Sequence, residues 1–572
     1  MSPGRVTAGR VVLVAALAAL LGAALLVPRP ARLGVEEATW LLQTASLVAD
    51  RDLAYEAVDA ERFRSRGWSR ETRVALEFDV GGNHRFARPL PYSVLAAPFA
   101  ALAPERGALV LNVLLLALGA FLAVRRLEPR MGDAASWLVA TALFGSAVFG
   151  YALSVRPESL LVTATIGAFV LAWPRDEEHL QNAELGLPEM YPEPGGAGGS
   201  DAPARVAPAS AAGWLAGGAL VAVVGLHHPL FLLLALPLVG GIPRRFRQVA
   251  VPAVLIGLLL VLAGSWLTGT LWLEFLVSPK LAIAGDSLAD LAARGPSPAA
   301  GIDRQPTWPP PLTDYRLHLS NLTYLAAGRH VGVLVYFLPL LLLLWSGRGM
   351  VARGRLSAVM LVVLAALLCL FPFDLAGGGG PGIRWLVPLY AGLLLTAARR
   401  PSPGWTALFL LLGGLLMAPA WRGGLPTESE PTSRLLSRLP FETTQREVPV
   451  SAEIARRGIR VRAASTAIEP GRDGATMILA PGGRGQLVIG ADEPVLVVAL
   501  ELGSEVKGDA EVGGGTIQHE VFRPDGGVTV RIHPRRPRLQ SAWWSEERQY
   551  VYQVWFSLPE TGVAVPFGVS VE

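Results

Sequence analysis

Two adjacent carboxylates, Glu36 and Glu37, stand in the run Gly34-Val35-Glu36-Glu37-Ala38-Thr39-Trp40-Leu41-Leu42, soon after a long apolar stretch ends. Charged groups beside a membrane are costly unless they have a partner or a task. A carboxylate there can take the proton of an attacking hydroxyl. An arginine at the same depth can bind a phosphate and stabilise it as it leaves. The chain offers such arginines: Arg156 in Ser154-Val155-Arg156-Pro157-Glu158, Arg329 beside His330, and Arg384 after Gly377-Gly378-Gly379-Gly380-Pro381-Gly382. Plainer roles exist for each. Two carboxylates at a helix start complement its dipole, Arg156 has Glu158 or lipid headgroups as partners, and Arg384 suits a headgroup anchor.

The elements that must position these groups are mostly apolar. The chain has 572 residues, 52% hydrophobic and only 17% charged, with a mean hydropathy of +0.42. That balance fits a polytopic membrane protein and not an ordinary soluble enzyme. The formal charge of +4 does not point to nucleic acid, because the arginines sit in short clusters between apolar runs and read as topology signals. The single cysteine, Cys369, can form neither an internal disulfide nor a cysteine metal cluster.

Residues 11–27 form the first span, longer than the core of a cleaved signal peptide, with Arg5 and Arg10 holding the N-terminus in the cytoplasm. Further spans are expected at 107–124, 134–153, 157–173, 211–226, 229–242, 249–268, 331–346, 356–375, 383–398 and 404–421, about eleven in all. Arg125-Arg126 with Arg130, Arg244-Arg245 with Arg247, Arg348 with Arg353 and Arg355, and Arg399-Arg400 then fall on the inner side. The odd number of spans leaves the C-terminus outside.

Two segments, 29–106 and 269–330, are expected as outer loops, and the acidic, proline- and glycine-rich 174–210 as a cytoplasmic linker. In the first outer loop, residues 36–49 read as an amphipathic helix along the membrane surface. Residues 89–103 are half a span long and carry Pro89, Pro91 and Pro98, so they read as interfacial or re-entrant. His227-His228 reads as a polar cap between two spans and not as a metal site. From 425 to 572 the chain turns polar, with short alternating runs at 458–462, 494–500, 527–532 and 550–556, as in a β-sandwich. Its tryptophans Trp543, Trp544 and Trp555 read as core. No Walker loop, HExxH helix, GxSxG elbow, paired CxxC or internal repeat occurs.

The order of a first span, an outer loop opening on acidic residues, the piece "RPLPYSVLAAPFAAL" and then many spans resembles the GT-C superfamily of membrane glycosyltransferases. Within it the chain is most similar to polyprenyl-phosphate-sugar-dependent enzymes of the protein mannosyltransferase and aminoarabinose transferase kind. The resemblance covers residues 1–420 and rests on architecture and one acidic motif. That motif is usually an Asp-Glu pair; here it is Glu36-Glu37, so which carboxylate is catalytic stays open.

The resemblance implies an inverting transferase that moves a sugar from a polyprenyl-phosphate donor to a hydroxyl of an envelope glycan, lipid or protein. It would act on the outer face of a bacterial inner membrane, with the C-terminal domain extracytoplasmic. Glu36 or Glu37 would be the base, and Arg156, Arg384 or Arg329 with His330 would hold the lipid phosphate. No cofactor is expected, and a divalent metal has no support in the sequence. The alternative is a non-catalytic assembly subunit or transporter of an envelope polysaccharide system. Spans almost free of ionisable groups speak against ion-coupled transport.

Overall fold

Runs of leucine, alanine and valine with charge confined to their ends satisfy their backbone polar groups best as helices. A computed structural model describes residues 7–28, 33, 35–66, 68, 73–78, 84–173, 211–227, 229–240, 244–267, 280–284, 326, 332–347, 358–360 and 386–422, together with the C-terminal strands named below. The chain divides into two units, one built from most of residues 1–425 and the other on residues 426–572.

The first unit is mostly helical: α1 (Ala8–Leu26), α2 (Val35–Ala49), α3 (Ala57–Ser65), α4 (Leu90–Leu102), α5 (Gly107–Met131), α6 (Ala134–Phe144), α7 (Val148–Ala152), α8 (Glu158–Ala172) and α9 (Ala211–His227). A 3-10 turn at Pro229–Leu234 leads into α10 (Ala235–Gly240), and α11 (Arg244–Leu267), α12 (Val333–Tyr336), α13 (Leu340–Ser346), α14 (Leu386–Leu395) and α15 (Pro403–Leu416) follow. Among the described residues, α1 and α5 are long and apolar enough to cross a membrane.

Several expected spans take a different form. The stretch 134–153 is broken: α6 ends at Phe144, and Ser146 Oγ turns back to the carbonyl of Ala142 at 2.7 Å and accepts the Val148 N–H at 3.3 Å. The freed Ala147 N–H donates to the carbonyl of Tyr336 at 2.7 Å. There the expected span 331–346 is itself divided, because Pro339 supplies no N–H and disfavours helix at the residue before it. Residues 229–242 begin as a 3-10 turn. The linker 174–210 and most of 356–375 lie outside the described residues.

The helices are ordered with polar groups at two ends. At one end Arg10 pairs with Glu128, Arg400 Nε donates to the carbonyl of Arg130 at 3.4 Å, and the Ala398 and Arg399 N–H groups meet the Ser346 carbonyl at 2.9 Å. Trp173, which closes α8 at the same end, donates its indole N–H to Leu238 of α10 at 3.3 Å. At the other end Arg106 caps the last turn of α1 through the carbonyls of Ala24 and Val27, at 3.1 and 2.6 Å. Between the ends, α8 and α14 are buried nearly all round, while Val14, Leu118, Phe121, Leu259, Leu411 and Leu415 stand exposed on α1, α5, α11 and α15. Helices α9 and α11 cross closely at Gly218 and Gly257: a Cβ on Gly218 would lie 2.8 Å from Val254 Cα, and one on Gly257 2.7 Å from the Ala219 nitrogen. Only glycine permits that approach.

Strands β1 (Arg73–Phe78), β2 (His84–Phe86) and β3 (Lys280–Ala284) form an antiparallel sheet in the order β2-β1-β3, with Leu76 opposite both Phe86 and Leu281. Beside it Leu42, Tyr55, Ala60, Phe63, Val74, Leu76 and Phe86 form a small core with Trp68 at its edge. This core corrects one expectation. Helix α2 does not lie along a surface, because Trp40, Leu41 and Leu42 and also Thr39, Gln43, Thr44 and Ser46 are buried. Its polar side chains are used internally: Thr39 Oγ1 accepts the Ala75 N–H at 2.9 Å, which ties α2 to β1. Arg62 of α3 bridges Asp50 and Asp59. Its hydrogen bond holds the Asp50 carboxyl below the usual range, whereas burial pushes that of Asp59 up.

The second unit carries two antiparallel sheets. One contains β4 (Val450–Arg456), β5 (Ile459–Ala464), β8 (Arg484–Ala491), β14 (Arg548–Ser557) and β10 (Glu511–Gly513) in the order β10-β14-β8-β5-β4, with β13 (Arg538–Ser541) also on β14. The other runs β11 (Gly515–Phe522), β12 (Val528–Pro534), β9 (Val498–Leu502), β15 (Ala564–Val571), β7 (Ala475–Ile478) and β6 (Ala467–Pro470). The sequence runs at 458–462, 527–532 and 550–556 fall on β5, β12 and β14, and the end of 494–500 falls on β9.

The pairing of β1 with β3 joins the segments 29–106 and 269–330, and strands cannot pair across a bilayer. In a Cys369→Ser background, Arg85→Cys and Lys280→Cys should therefore both react, or both fail to react, with a membrane-impermeant thiol reagent applied from one side. Labelling of one position and protection of the other would contradict the pairing.

Candidate active site at one end of the helical bundle

Glu36 and Glu37 occupy the first turn of α2, where successive residues point about 100° apart. They therefore meet different partners. Glu36, 6% exposed, lies between two guanidinium groups: Arg88 Nη2 is 3.4 Å from its Oε1 and Arg156 Nη1 is 3.6 Å from its Oε2. Those separations are ion pairs without the short reach of a well-formed hydrogen bond. Glu37 turns to the chain between α7 and α8, where its Oε1 accepts the Val155 N–H at 3.0 Å. Glu158, 1% exposed, opens α8, where the helix dipole favours a carboxylate.

The arginines are delivered by short connectors. Arg156 sits in the turn 153–157, which is closed by its own N–H to the Ser154 carbonyl at 2.9 Å and by Ser154 N–H to Tyr151 at 3.1 Å. Arg88 ends the connector from β2 to α4, and its carbonyl accepts the Gln43 side-chain N–H at 3.1 Å. Both connectors are thus fixed to α2, one through Gln43 and one through Glu37.

A second line of contacts fixes the Arg156 turn from behind. Tyr92 of α4 donates its hydroxyl to Asn112 Oδ1 at 3.1 Å, and Asn112 Nδ2 donates to the Ser154 carbonyl at 2.7 Å. Tyr92 and Asn112 are fully buried. The Tyr92 ring meets Trp40 of α2 edge to face, with centroids 5.1 Å apart. The contacts run from α2 through α4 and α5 to the turn and, by Val155, back to α2.

His227 ends α9 with its ring 6.1 Å from that of Trp40. Its Nδ1 is 3.0 Å from the Val223 carbonyl, which can only accept, so Nδ1 carries the proton. Around the same helix ends, Trp40 Nε1, Gln43 Oε1, Ser93 Oγ, Arg156 Nε and Ser159 Oγ are buried without a hydrogen-bond partner among the described residues. Each such atom costs about 1–3 kcal/mol unless something polar meets it.

Of the residues singled out from sequence, the structure thus brings Glu36, Glu37 and Arg156 together. Arg329, His330, Arg384 and His228 lie outside the described residues. Arg88, Tyr92 and Asn112 were missed. Arg88 obeys the rule that flagged the other arginines, a basic residue at the end of an apolar piece, and Asn112 is an amide inside an apolar helix. Among the described residues no group of three or more His, Cys, Asp or Glu side chains is arranged to hold a metal ion. No family model, curated protein or solved structure matches the chain.

The Asn112 bridge gives a direct check. Asn112→Leu leaves the Tyr92 hydroxyl and the Ser154 carbonyl buried without their partner, a loss of about 2–4 kcal/mol. Hydrogen exchange should show the Val155 amide losing protection in this variant. Unchanged protection would mean that Asn112 does not hold the turn.

Proposed function

We propose that the chain is a GT-C-like membrane glycosyltransferase that moves a sugar, with inversion, from a polyprenyl-phosphate donor to an acceptor hydroxyl on the outer face of a bacterial inner membrane. The observation that carries this reading is the Glu36 carboxylate buried between Arg88 and Arg156, with Glu37 beside it. Two arginines close enough to share one carboxylate oxygen pair are spaced to share a phosphate. Their contacts to Glu36 are long enough for an incoming phosphate to compete.

The membrane reading is supported by the exposed leucines and phenylalanine along the helices and by the gathering of polar groups at two ends. Under it the full set of about eleven spans includes broken and short helices that cross in pieces, tolerated where they are buried in protein. The end with Arg10, Arg130, Arg399 and Arg400 is cytoplasmic. The two C-terminal sheets stack as an extracytoplasmic β-sandwich.

The roles divide by environment. Glu36, flanked by two guanidinium groups, serves to hold Arg88 and Arg156 in place. Glu37, on the neighbouring face of the helix with its Oε1 on the Val155 N–H, is the base. The acceptor oxygen attacks the anomeric carbon as Glu37 takes its proton. The bond from that carbon to the phosphate oxygen breaks, the electron pair leaves with the phosphate, and Arg88 and Arg156 stabilise the added charge. The buried hydroxyl, amide and indole groups of Ser93, Gln43 and Trp40 suit a hydroxyl-rich sugar.

A transfer assay with a polyprenyl-phosphate sugar tests these roles. Glu37→Gln should lower kcat by roughly 10²–10⁴-fold, the usual worth of a general base, and Glu36→Gln should chiefly raise KM for the donor. Full transfer in both variants would overturn these roles for the two carboxylates, and no transfer by the wild-type chain would overturn the enzymatic reading and favour a non-catalytic assembly subunit. Loss of kcat in Glu36→Gln alone would reverse the two roles.

A further inference from the structure

A groove runs between α10 and α11, away from the Glu36 site. Its walls are Ala235, Leu236 and Val239 on one side and Val251, Val254, Leu255 and Leu258 on the other, with Arg247 the one charged residue among the described residues that line it. Its volume is about 390 Å³. The α11 lining positions follow a single helical face from Arg247 to Leu258, a length of about 16 Å at 1.5 Å per residue. Val254 is buried and forms the floor, while Leu236 and Leu255 are about half exposed at the rim.

The groove has a polarity along its length. Its arginine lies in the first turn of α11, and the sequence adds Arg244 and Arg245 at the same helix start. Away from that end every lining residue is aliphatic. An elongated apolar slot with one cationic end is complementary to an anionic head on a hydrocarbon chain.

The contacts of the bundle tell which end is which. Helix α8 starts at Glu158, beside the Arg156 turn, and closes at Trp173, whose indole bonds to Leu238 of α10. The α10 end of the groove is therefore at the opposite end of α8 from the Glu36 cluster. His227, which ends α9, is by Trp40 on the Glu36 side, so the chain has returned across the bundle before α11 begins.

We infer that this groove is a binding site for an anionic phospholipid, with the phosphate at Arg247 and one acyl chain laid along Val251, Val254, Leu255 and Leu258. The site rests on the membrane reading but not on glycosyl transfer. It places the bound lipid in the leaflet opposite the transfer site, so it is not a second view of the donor. Occupied, it fills the angle between α10 and α11, and the α9–α11 crossing at Gly218 and Gly257 connects that angle to the helix that carries His227.

The test is lipid retention by the full-length protein purified in detergent, read by native mass spectrometry with phosphatidylglycerol and phosphatidylcholine of identical acyl chains. The wild-type chain should retain phosphatidylglycerol in preference. Arg247→Gln, at an exposed position, should lose about fivefold of that preference, and Arg247→Lys should keep most of it. Val251→Trp fills the slot and should weaken retention of both lipids. An unchanged preference in Arg247→Gln, or unchanged retention in Val251→Trp, would overturn the site. Glycosyl transfer is not read, so failure of the enzymatic reading leaves this result interpretable.

Discussion

A carboxylate buried to 6% exposure between two guanidinium groups constrains the rest of the first unit. None of the three charges is tolerable there alone, because removing an ion from water costs several kcal/mol unless a counter-charge replaces the solvent. The three come from separate places: the first turn of α2, the connector ahead of α4 and the turn ahead of α8. Gln43 and Glu37 fix those connectors to α2, and Asn112 secures the turn to α4 and α5. The small core under β1 and β2 anchors α2 itself, and Thr39 extends that anchor into the sheet.

Sequence made the chemistry more legible than the packing. Glu36, Glu37 and Arg156 stood out because charge at the outer end of an apolar run needs a reason, and that argument uses composition and order alone. Arg88 escaped although it begins the proline-rich piece that helped suggest the family resemblance, because its partner Glu36 comes from a separate element. Asn112 and Tyr92 escaped because their value lies in meeting each other and the Ser154 carbonyl across three elements, which no spacing within one helix reveals. The same limit explains α2. Its pattern of Trp40, Leu41, Leu42, Ala45 and Val48 reads as one apolar face, but β1 and the Arg88 connector bury the polar face through hydrogen bonds that the pattern does not encode.

The helices show a related contrast. Hydropathy located apolar segments well, yet could not say where a segment breaks. The division of 134–153 depends on Ser146 competing for its own backbone and on the Tyr336 carbonyl, nearly two hundred residues away, accepting the released Ala147 N–H. The pairing of β1 with β3 is likewise a long-range fact. It joins two segments that sequence had assigned to one side only through the count of arginines. In both cases the missing information was tertiary, a partner supplied by a distant element, and not a local preference misread.

The central claim is that Arg88 and Arg156, held by Glu36, form the phosphate site. The most direct measurement is equilibrium binding of a polyprenyl phosphate to the full-length chain and to its Arg88→Gln and Arg156→Gln variants. Loss of a charge-assisted hydrogen bond should weaken binding roughly tenfold to a hundredfold in each. Affinity undiminished in both variants would contradict the account.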